Sequence, residues 1–556
     1  MYRIPLGRIM IPLLVVYGIT GWEAAAQRSV VGPGVPAFQV RPGYRVDLVA
    51  GDIGEVRFIE FGKPGILYVS QPRTGAIVTL QQQGGVWSKL ADFTTGKSTA
   101  HGMHYYDGWL WFTQSGVVWK ARDTDGDGKA DEEIMVTDDL PSGGGHWWRP
   151  ILVTPDGFYT SIGDAGNITD QRDTERQKIW HFNLDGTGKR LYAAGLRNTE
   201  KLRLRPGTDE IWGADHGSDQ YGQTLGETRG NQPFTDDLPP DEFNRYVDGG
   251  FYGHPFIVGP GLPRLEFKDL PDFLELSAKT ILPEYSIGPH WAPNGWTFAQ
   301  YDALGLKGDA IVACHGSWNS SVRVGYRVER IVFDDLTGKV IGGQLLVSCL
   351  SEDQQVLGRP CDVAEAPDGS LYFSDDSTRR IYRISRDNGE VPAVAAAAGV
   401  TAAVGGGNAN QPFGALTYFQ ARCATCHGNY GEAYGDQFAR DLDETALHEI
   451  IVKMVEGPAG APLEAGELKA LDDFHMALRD GRPYAAVTAQ GEDGWIQGEA
   501  LPGSVLTLEA EDRAIPIPLN GHDWRIQLPS GLANSSIRIQ RNGEEVTRTL
   551  DDLIRE

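Results

Sequence analysis

The stretch APDGSLYFSDDSTRRIYRI, at residues 366–384, decides how the longest part of the chain folds. It joins a Pro-Asp-Gly turn, an apolar strand, small polar residues and a second strand. Related phrases are GKPGILYVSQPRTGAIVTL at 62–80, TPDGFYTSIGDAGN at 154–167 and RPGTDEIWGADHGSD at 205–219. Such a unit, repeated around an axis, is typical of a β-propeller, whose blades bury their faces against one another. The spacing predicts six blades of about 45 to 60 residues each. A β-sandwich or barrel is the alternative.

The pattern changes twice after this region, and the chain is predicted to be mainly β. We assign residues 38–388 to the six-bladed β-propeller and residues 389–411, rich in Ala, Gly and Val, to a linker. Residues 412–482 have helical spacing, which predicts a small all-α domain. Residues 484–556 return to strands and resemble an Ig-like β-sandwich, in which no residue looks catalytic.

The first 26 residues are typical of a secretory signal. Arg3 and Arg8 precede an apolar run at residues 9–22, and three alanines at 24–26 form a small-residue cleavage site. A membrane anchor is the alternative, but the run is short for a span. We therefore expect a periplasmic or secreted protein with no integral membrane span after cleavage.

Composition limits the partners. The 556 residues are 41% apolar, enough for several cores, and carry a formal net charge of −25. Like charges repel, so nucleic acid and anionic lipid are disfavoured as partners, whereas a basic electron-transfer protein would be attracted.

One short motif carries chemistry by itself. Cys423, Cys426 and His427 have the C-x-x-C-H spacing for covalent attachment of haem c, with the histidine as an iron ligand. A zinc site is the alternative, but no second ligand pair stands at a suitable spacing. The other three cysteines could form a disulfide whose pairing stays open. They are Cys314, Cys349 and Cys361.

The helical region resembles the small bacterial cytochromes c, in which a loop before the last helix presents Met-Pro to the iron. The matching stretch here is GPAGAP at 457–462, with Ala461 at the methionine position. We predict Met454 as the second iron ligand. The alternatives are His448, His475 and Met476. A methionine raises the haem potential and a histidine lowers it.

The propeller region resembles the soluble sugar dehydrogenases that use pyrroloquinoline quinone, especially their sorbosone-dehydrogenase-like branch, over about residues 40–386. The phrases that carry the resemblance occur in the family's order. They are GGHWWRPILVTPDGFYTSIGD, AGLRNTEKLRLRPGTDEIWGADHGSD, VDGGFYGHP, CHGSW followed by GYRVERI, and GRPCDVAEAPDGSLYFSDD.

The resemblance implies a set of site residues. His146 matches the general base, which takes the substrate's hydroxyl proton while hydride moves to the quinone. Arg197 and Asn198 match cofactor contacts, and Arg197 would polarise a quinone carbonyl as part of the catalytic set. Arg359 matches an arginine that holds a cofactor carboxylate. The backbone carbonyls of Gly217 and Ser218 correspond to those that bind the family's Ca²⁺.

The chain departs from the glucose-oxidising members of that family at two places. Their second arginine corresponds to Cys361, and the lysine that they place near CHGSW has no counterpart here. We expect Arg323 or Arg327 to substitute. These departures argue against glucose as the substrate.

A second calcium site is predicted in the loop DTDGDGKAD at residues 123–131. Carboxylates at alternate positions and a glycine for the turn suit a calcium loop, but position twelve is Ile134 instead of the glutamate of an EF-hand. A metal-free acidic turn is the alternative. The predicted ligands are Asp123, Asp125, Asp127 and Asp131.

Together these features predict a quinoprotein dehydrogenase with pyrroloquinoline quinone, haem c and calcium as cofactors. Its substrate would be an aldose, a ketoaldose or a related aldehyde, and electrons would pass through the haem to an external cytochrome or oxidase. Two alternatives are an electron-transfer cytochrome with a non-catalytic, ligand-binding propeller, and a propeller lactonase that uses calcium alone.

Overall fold

The computed structural model describes most of the chain beyond its first 30 residues. The described residues are 31–221, 234–317, 319–387, 413–423, 427, 430, 431, 434, 439, 442–456, 463–490, 495–510, 513–527, 535–550 and 553. The predicted signal at 1–26, the linker at 389–411 and Cys426 lie outside them.

Six antiparallel sheets follow one another between residues 39 and 386. The first strands of successive sheets lie side by side, and that of the sixth also contacts that of the first. The arrangement is propeller-like, as the repeated phrases predict. The strands of the first sheet are Ile59–Phe61, Ile66–Gln71, Ala76–Gln83 and Val86–Thr94. Those of the second are Met103–Tyr106, Trp109–Gln114, Val117–Arg122 and Glu132–Thr137. Those of the third are Leu152–Thr154, Gly157–Ile162, Lys178–Phe182 and Arg190–Ala194, with Gly250–Phe251 added in parallel.

The other three sheets complete the series. The strands of the fourth are Thr199–Leu204, Ile211–Asp215, Glu242–Tyr246 and Tyr285–Ser286. Those of the fifth are Pro293–Phe298, Ala310–Cys314, Arg327–Phe333, Val340–Ser348 and the short Gln39–Val40. Those of the sixth are Pro360–Glu365, Leu371–Asp375, Arg380–Arg386 and, from the start of the described chain, Tyr44–Ala50.

The core lies between the sheets. A buried apolar cluster fills the space between each sheet and the next, including that between the sixth and the first. Strand Gly157–Ile162 is buried along its whole length, because sheets that pack on both faces leave no side of such a strand to solvent. Cys314, Cys349 and Cys361 are buried here as free thiols, so none of the disulfides left open above forms.

Five helices lie in the described residues. Two short ones belong to the region of the fourth sheet: α1 (Phe234–Asp237) and α2 (Phe273–Lys279). The other three occupy the stretches whose helical spacing predicted them: α3 (Ala415–Arg422), α4 (Glu444–Glu456) and α5 (Ala465–Asp480). They share one buried core. None of the described helices has the length and apolar character needed to span a bilayer.

The end of the chain forms two further four-stranded antiparallel sheets around a shared core. The strands of one are Ala485–Gln490, Trp495–Ala500, Leu519–Asn520 and Asp523–Gln527. Those of the other are Val505–Ala510, Arg513–Ile517, Ser536–Arg541 and Glu544–Thr549. Remaining small elements in the propeller-like part are the pair Ile257–Val258 and Leu262–Pro263 and a 3₁₀ turn, Leu265–Phe267.

Candidate active site

A cavity of about 480 Å³ lies between the ring of sheets and the three helices α3 to α5. Loops of the ring line one side of it, and the helices line the other. Residues predicted for quinone chemistry and residues predicted for haem attachment therefore share one space. From the predicted site, the lining includes His146, Arg197, Asn198, Gly217, Arg359, Cys423, His427 and Met454.

His146 lies in the loop between the second and third sheets and has a left-handed backbone, with φ of 50°. Its Nδ1 is 2.9 Å from the backbone oxygen of Asp164. A carbonyl only accepts, so the neutral ring carries its proton on Nδ1 and keeps the lone pair of Nε2. Burial, reinforced by the charge of Arg197, lowers the pKa of His146 to about 3. This histidine is thus held neutral, with a basic nitrogen available.

Arg197 and Asn198 are fixed by the carboxylate of Asp215, which accepts hydrogen bonds from both of their backbone nitrogens at 2.8 Å. The Arg197 guanidinium donates to the Gly217 carbonyl at 2.9 Å and to the Asp219 carboxylate at 3.2 Å. Within the described residues, the Asn198 Oδ1 is buried with no hydrogen-bond partner. This pair therefore offers a fixed cation and an unsatisfied polar atom at the cavity.

Arg359 donates through its Nη2 to His315 Nδ1 at 2.8 Å. The other nitrogen of His315 lies 2.9 Å from the Asp376 carboxylate. Burial, followed by the charge of Arg359, lowers the pKa of His315 to about 4. The Arg359 guanidinium is accordingly anchored on the His315 imidazole at the wall of the cavity.

Arg57 is a cavity residue that the sequence patterns missed. It is 1% exposed, and its two terminal nitrogens each lie 3.1 Å from a carboxylate, those of Glu200 and Asp376. Its guanidinium also stacks 4.7 Å above the ring of Trp148. It precedes the first sheet in a stretch without any motif, so no sequence signal marks it.

The two arginines expected to replace the family's lysine do not line the cavity. Arg323 donates to the Gln354 backbone oxygen, and Arg327 pairs with Glu329 while stacking on Trp291. Arg57, by contrast, lines the cavity.

Of the two predicted calcium-binding residues, Gly217 lines this cavity and Ser218 does not. The Gly217 backbone nitrogen donates to Asp241 at 2.7 Å, and its carbonyl faces Arg197. Ser218 is buried, and its hydroxyl accepts from Arg264. Burial raises the pKa of Asp219, but His290 and Arg197 outweigh that effect and lower it. Carboxylates of Asp219 and Asp241 both line the cavity, so oxygen donors that suit a hard cation are present.

The acidic loop of the second sheet gathers three of its four predicted ligands. Carboxylate oxygens of Asp123, Asp125 and Asp131 lie within 4.8 Å of one another. Asp127 falls outside this group. Its carboxylate accepts from the Lys129 backbone nitrogen at 2.8 Å.

On the helical side, Cys423 is buried at the end of α3, and the His427 backbone nitrogen donates to its carbonyl at 3.0 Å. The His427 ring packs 4.6 Å from that of Tyr434. Burial, followed by the charges of His475 and Arg359, lowers the pKa of His427 to about 3. A neutral imidazole is the form that binds iron.

The candidates for a second iron ligand differ in their surroundings. Met454 lies on the face of α4 that lines the cavity. Both ring nitrogens of His475 are engaged, one with the Leu471 carbonyl at 2.8 Å and one with the Tyr434 hydroxyl at 3.1 Å. His448 is half-exposed and pairs with an aspartate, while Met476 packs against the helical core. Met454 and His475 both line the cavity, whereas His448 and Met476 do not.

Known proteins resemble the propeller-like part. A family model described as TrAA12-like matches residues 276–387. The pyranose dehydrogenase PQQ domain from Coprinopsis cinerea is 20% identical with a TM-score of 0.55, over 64% of this chain and 100% of that one. A calcium structure of a Trichoderma reesei enzyme of carbohydrate-active family AA12 is 19% identical with a TM-score of 0.55, over 65% and 99% of the two chains. These likenesses support the propeller-like fold.

An uncharacterised protein of Borreliella burgdorferi is 29% identical over 231 residues. The match spans 41% of this chain and 56% of that relative's length.

Proposed function

We propose that this chain is a pyrroloquinoline-quinone-dependent dehydrogenase that oxidises an aldose, a ketoaldose or a related aldehyde. Electrons pass to haem c on the helical unit and then to an external acceptor, a cytochrome or an oxidase. The observation that carries the proposal is the single cavity shared by His146, Arg197, Arg359 and His427. The proposed site of action is the periplasm or the exterior, on the basis of the predicted secretory signal.

The donor set fits a planar, polyanionic quinone. Four arginines line the cavity, and guanidinium groups pair with carboxylates through two parallel hydrogen bonds. They are Arg57, Arg197, Arg359 and Arg422. The unpartnered Asn198 Oδ1 marks a place where a bound group would supply the missing contact. The likeness to the Coprinopsis cinerea PQQ domain supports the same choice.

Pyrroloquinoline quinone, when bound, supplies a carbonyl group that accepts a hydride from the substrate carbon. His146 takes the hydroxyl proton on Nε2, while its Nδ1 stays fixed to the Asp164 carbonyl. Arg197 places a permanent positive charge where negative charge develops. Carbonyls at Gly217 and Ser218, with the nearby carboxylates, would hold Ca²⁺.

Cys423, Cys426 and His427 would hold haem c, with Met454 as the second iron ligand. Haem would supply one-electron transfer, so the external acceptor would have to reoxidise it twice for each substrate molecule. The acidic charge of the chain, −25, suits a basic acceptor protein.

The test is optical. Purified, oxidised haem protein receives pyrroloquinoline quinone and Ca²⁺, and then aldoses, ketoaldoses and simple aldehydes are screened for reduction of the haem. We expect reduction that requires both quinone and substrate. In the variant His146→Gln it should slow by about 100-fold or more, because a general base contributes a factor of that order.

The matched control is His181→Gln. His181 is a buried histidine in a strand of the third sheet and lies outside the cavity lining. It should leave the rate unchanged. A haem that stays oxidised with every substrate, together with no quinone binding, would support a non-catalytic propeller. Hydrolysis of lactones with calcium alone would support the lactonase.

A further inference from the structure

The loop that carries His146 has a backbone that is costly to hold. Gly143 and Gly144 have φ of 61° and 75°, and His146 itself, at 50°, is in a region that side chains rarely adopt. A Cβ on Gly145 would lie 2.6 Å from the Ala165 carbonyl oxygen. Three successive glycines also lose much conformational freedom on folding. Contacts beyond those of the glycines must therefore fix the loop.

Arg149 closes this loop from its C-terminal end. Its backbone oxygen accepts hydrogen bonds from the Thr113 hydroxyl at 2.6 Å and from the Gly102 nitrogen at 3.1 Å, which anchors it to the second sheet. Its side chain then turns back to the loop. Nη1 donates to the His146 carbonyl at 2.8 Å, and Nη2 donates to the Pro141 carbonyl at 3.1 Å. One guanidinium thus holds both the start of the loop and the proposed base.

This arginine is unusual in its partners. It is 1% exposed, and among the described residues it forms no ion pair; its acceptors there are backbone carbonyls. Burial, with the nearby charge of Arg176, lowers its pKa. Burying a guanidinium without a carboxylate costs free energy, so stability alone does not account for it.

We infer that Arg149 is a positioning residue, which holds the His146 backbone so that the imidazole keeps its hydrogen bond to Asp164 and presents Nε2 to the substrate. The inference rests on the proposed function of His146 as the base. Arg149 does not line the cavity, so it acts through His146 and contacts neither substrate nor cofactor.

The first readout needs no quinone and no turnover. In the full chain with ¹⁵N-labelled histidines, the Nδ1–H of His146, assigned by its loss in His146→Gln, should be protected from exchange by its bond to Asp164. The variant Arg149→Met removes both donors, and we expect this signal to broaden or vanish. The control Arg45→Met removes a buried arginine of the sixth sheet, far from the cavity lining, and should leave the signal intact.

The second readout is kinetic. Arg149→Met should lower kcat on the order of 10- to 100-fold, as misplacement of a catalytic group does. KM and quinone affinity should change less than about twofold, because the binding groups stay in place. Arg149→Lys keeps the positive charge but has a single nitrogen with which to reach the two carbonyls. Its kcat should therefore lie between those of the parent protein and Arg149→Met. If Arg149→Met does not fold, Arg149→Lys is tested by the same criteria.

An unchanged His146 signal and an unchanged kcat in folded Arg149→Met would overturn the inference. The inference would also fail if kcat, quinone affinity and folded fraction all decreased together in Arg149→Met and decreased equally in Arg45→Met. If the parent protein oxidises no substrate, the proposed function fails, and the histidine signal still decides whether Arg149 positions His146.

Discussion

At the residue scale, the environment of His146 sets the pH range of the proposed reaction. A base works unprotonated, and burial together with Arg197 lowers the pKa of this imidazole from 6.5 to about 3. We therefore expect kcat/KM for quinone reduction, followed with a dye acceptor, to stay level from pH 7 down to about pH 5. Half-maximal activity near pH 6.5 would mean that His146 titrates as an ordinary histidine and would contradict the structure.

The same shift predicts a loss of stability in acid. As the pH falls below 6.5, His146 becomes protonated in the unfolded chain but stays neutral in the folded chain. The free energy of unfolding therefore decreases. Circular dichroism measured from pH 7 to pH 5 reports the folded fraction. It therefore distinguishes unfolding in acid from a loss of activity caused by protonation of His146.

The sequence predicted some of the cavity residues and not others. His146, Arg197 and Arg359 stand in phrases whose order resembles a known family, and all three line the cavity. Arg57 comes from a loop with no phrase at all and reaches the cavity only because the ring brings the first sheet beside the sixth. Asp127 sits at the right spacing for a calcium ligand, but its carboxylate lies outside the group formed by the other three. Spacing along the chain does not fix where a side chain points.

At the scale of elements, helix α3 depends on a residue from the C-terminal sheets. The fully buried Glu499 carboxylate accepts from the backbone nitrogens of Leu416 and Thr417 at 2.6 and 2.8 Å, and from the Thr417 hydroxyl at 2.7 Å. It therefore caps the N-terminus of α3, where backbone N–H groups have no partner within the helix.

We expect Glu499→Ala to destabilise the helical unit by about 1–3 kcal/mol, because two backbone N–H groups at the helix N-terminus lose their acceptor. Thermal unfolding followed by the haem absorption band measures the loss. The control is Glu509→Ala, since Glu509 lies in the other C-terminal sheet and pairs with Arg538 at the surface. Equal effects of the two changes would refute the capping role.

Elements were predictable where one pattern dominates. The first, third, fourth and sixth sheets contain the repeated phrase, and the helices α3 to α5 follow helical spacing. The second and fifth sheets lack that phrase, so their presence could only be inferred from the length between the others. Helices α1 and α2 were not predicted, because they are short and the spacing of apolar residues needs several turns to become visible.

At the scale of the whole molecule, Arg73 links the ring to the helices. Its Nη1 donates to the Gln420 carbonyl at the end of α3, at 2.5 Å. We expect Arg73→Ala to slow substrate-driven reduction of the proposed haem severalfold. Loss of this hydrogen bond would loosen the contact between the ring and the helices, and the rate of electron transfer falls steeply as the distance between the two cofactors grows. Reduction of a dye acceptor by the quinone should stay the same. Stopped-flow spectroscopy distinguishes the two steps.

The control breaks a similar bond inside the ring. Arg205 donates to the Gly338 carbonyl at 2.8 Å, and Arg205→Ala should leave haem reduction unchanged. If both variants slow the dye reaction as well, Arg73 contributes to folding and not to docking. The shared cavity itself could not be read from the sequence, since it arises where two separately patterned regions pack together.

The sixth sheet has a consequence for how the protein is made. Its outer strand, Tyr44–Ala50, comes from the beginning of the described chain and pairs with Arg380–Arg386 at the end of the ring. During synthesis, the early strand has no partner until nearly the whole ring has left the ribosome, and pairings this distant in sequence form slowly. The helices α3 to α5 come later in the chain, so the ring has the first opportunity to assemble.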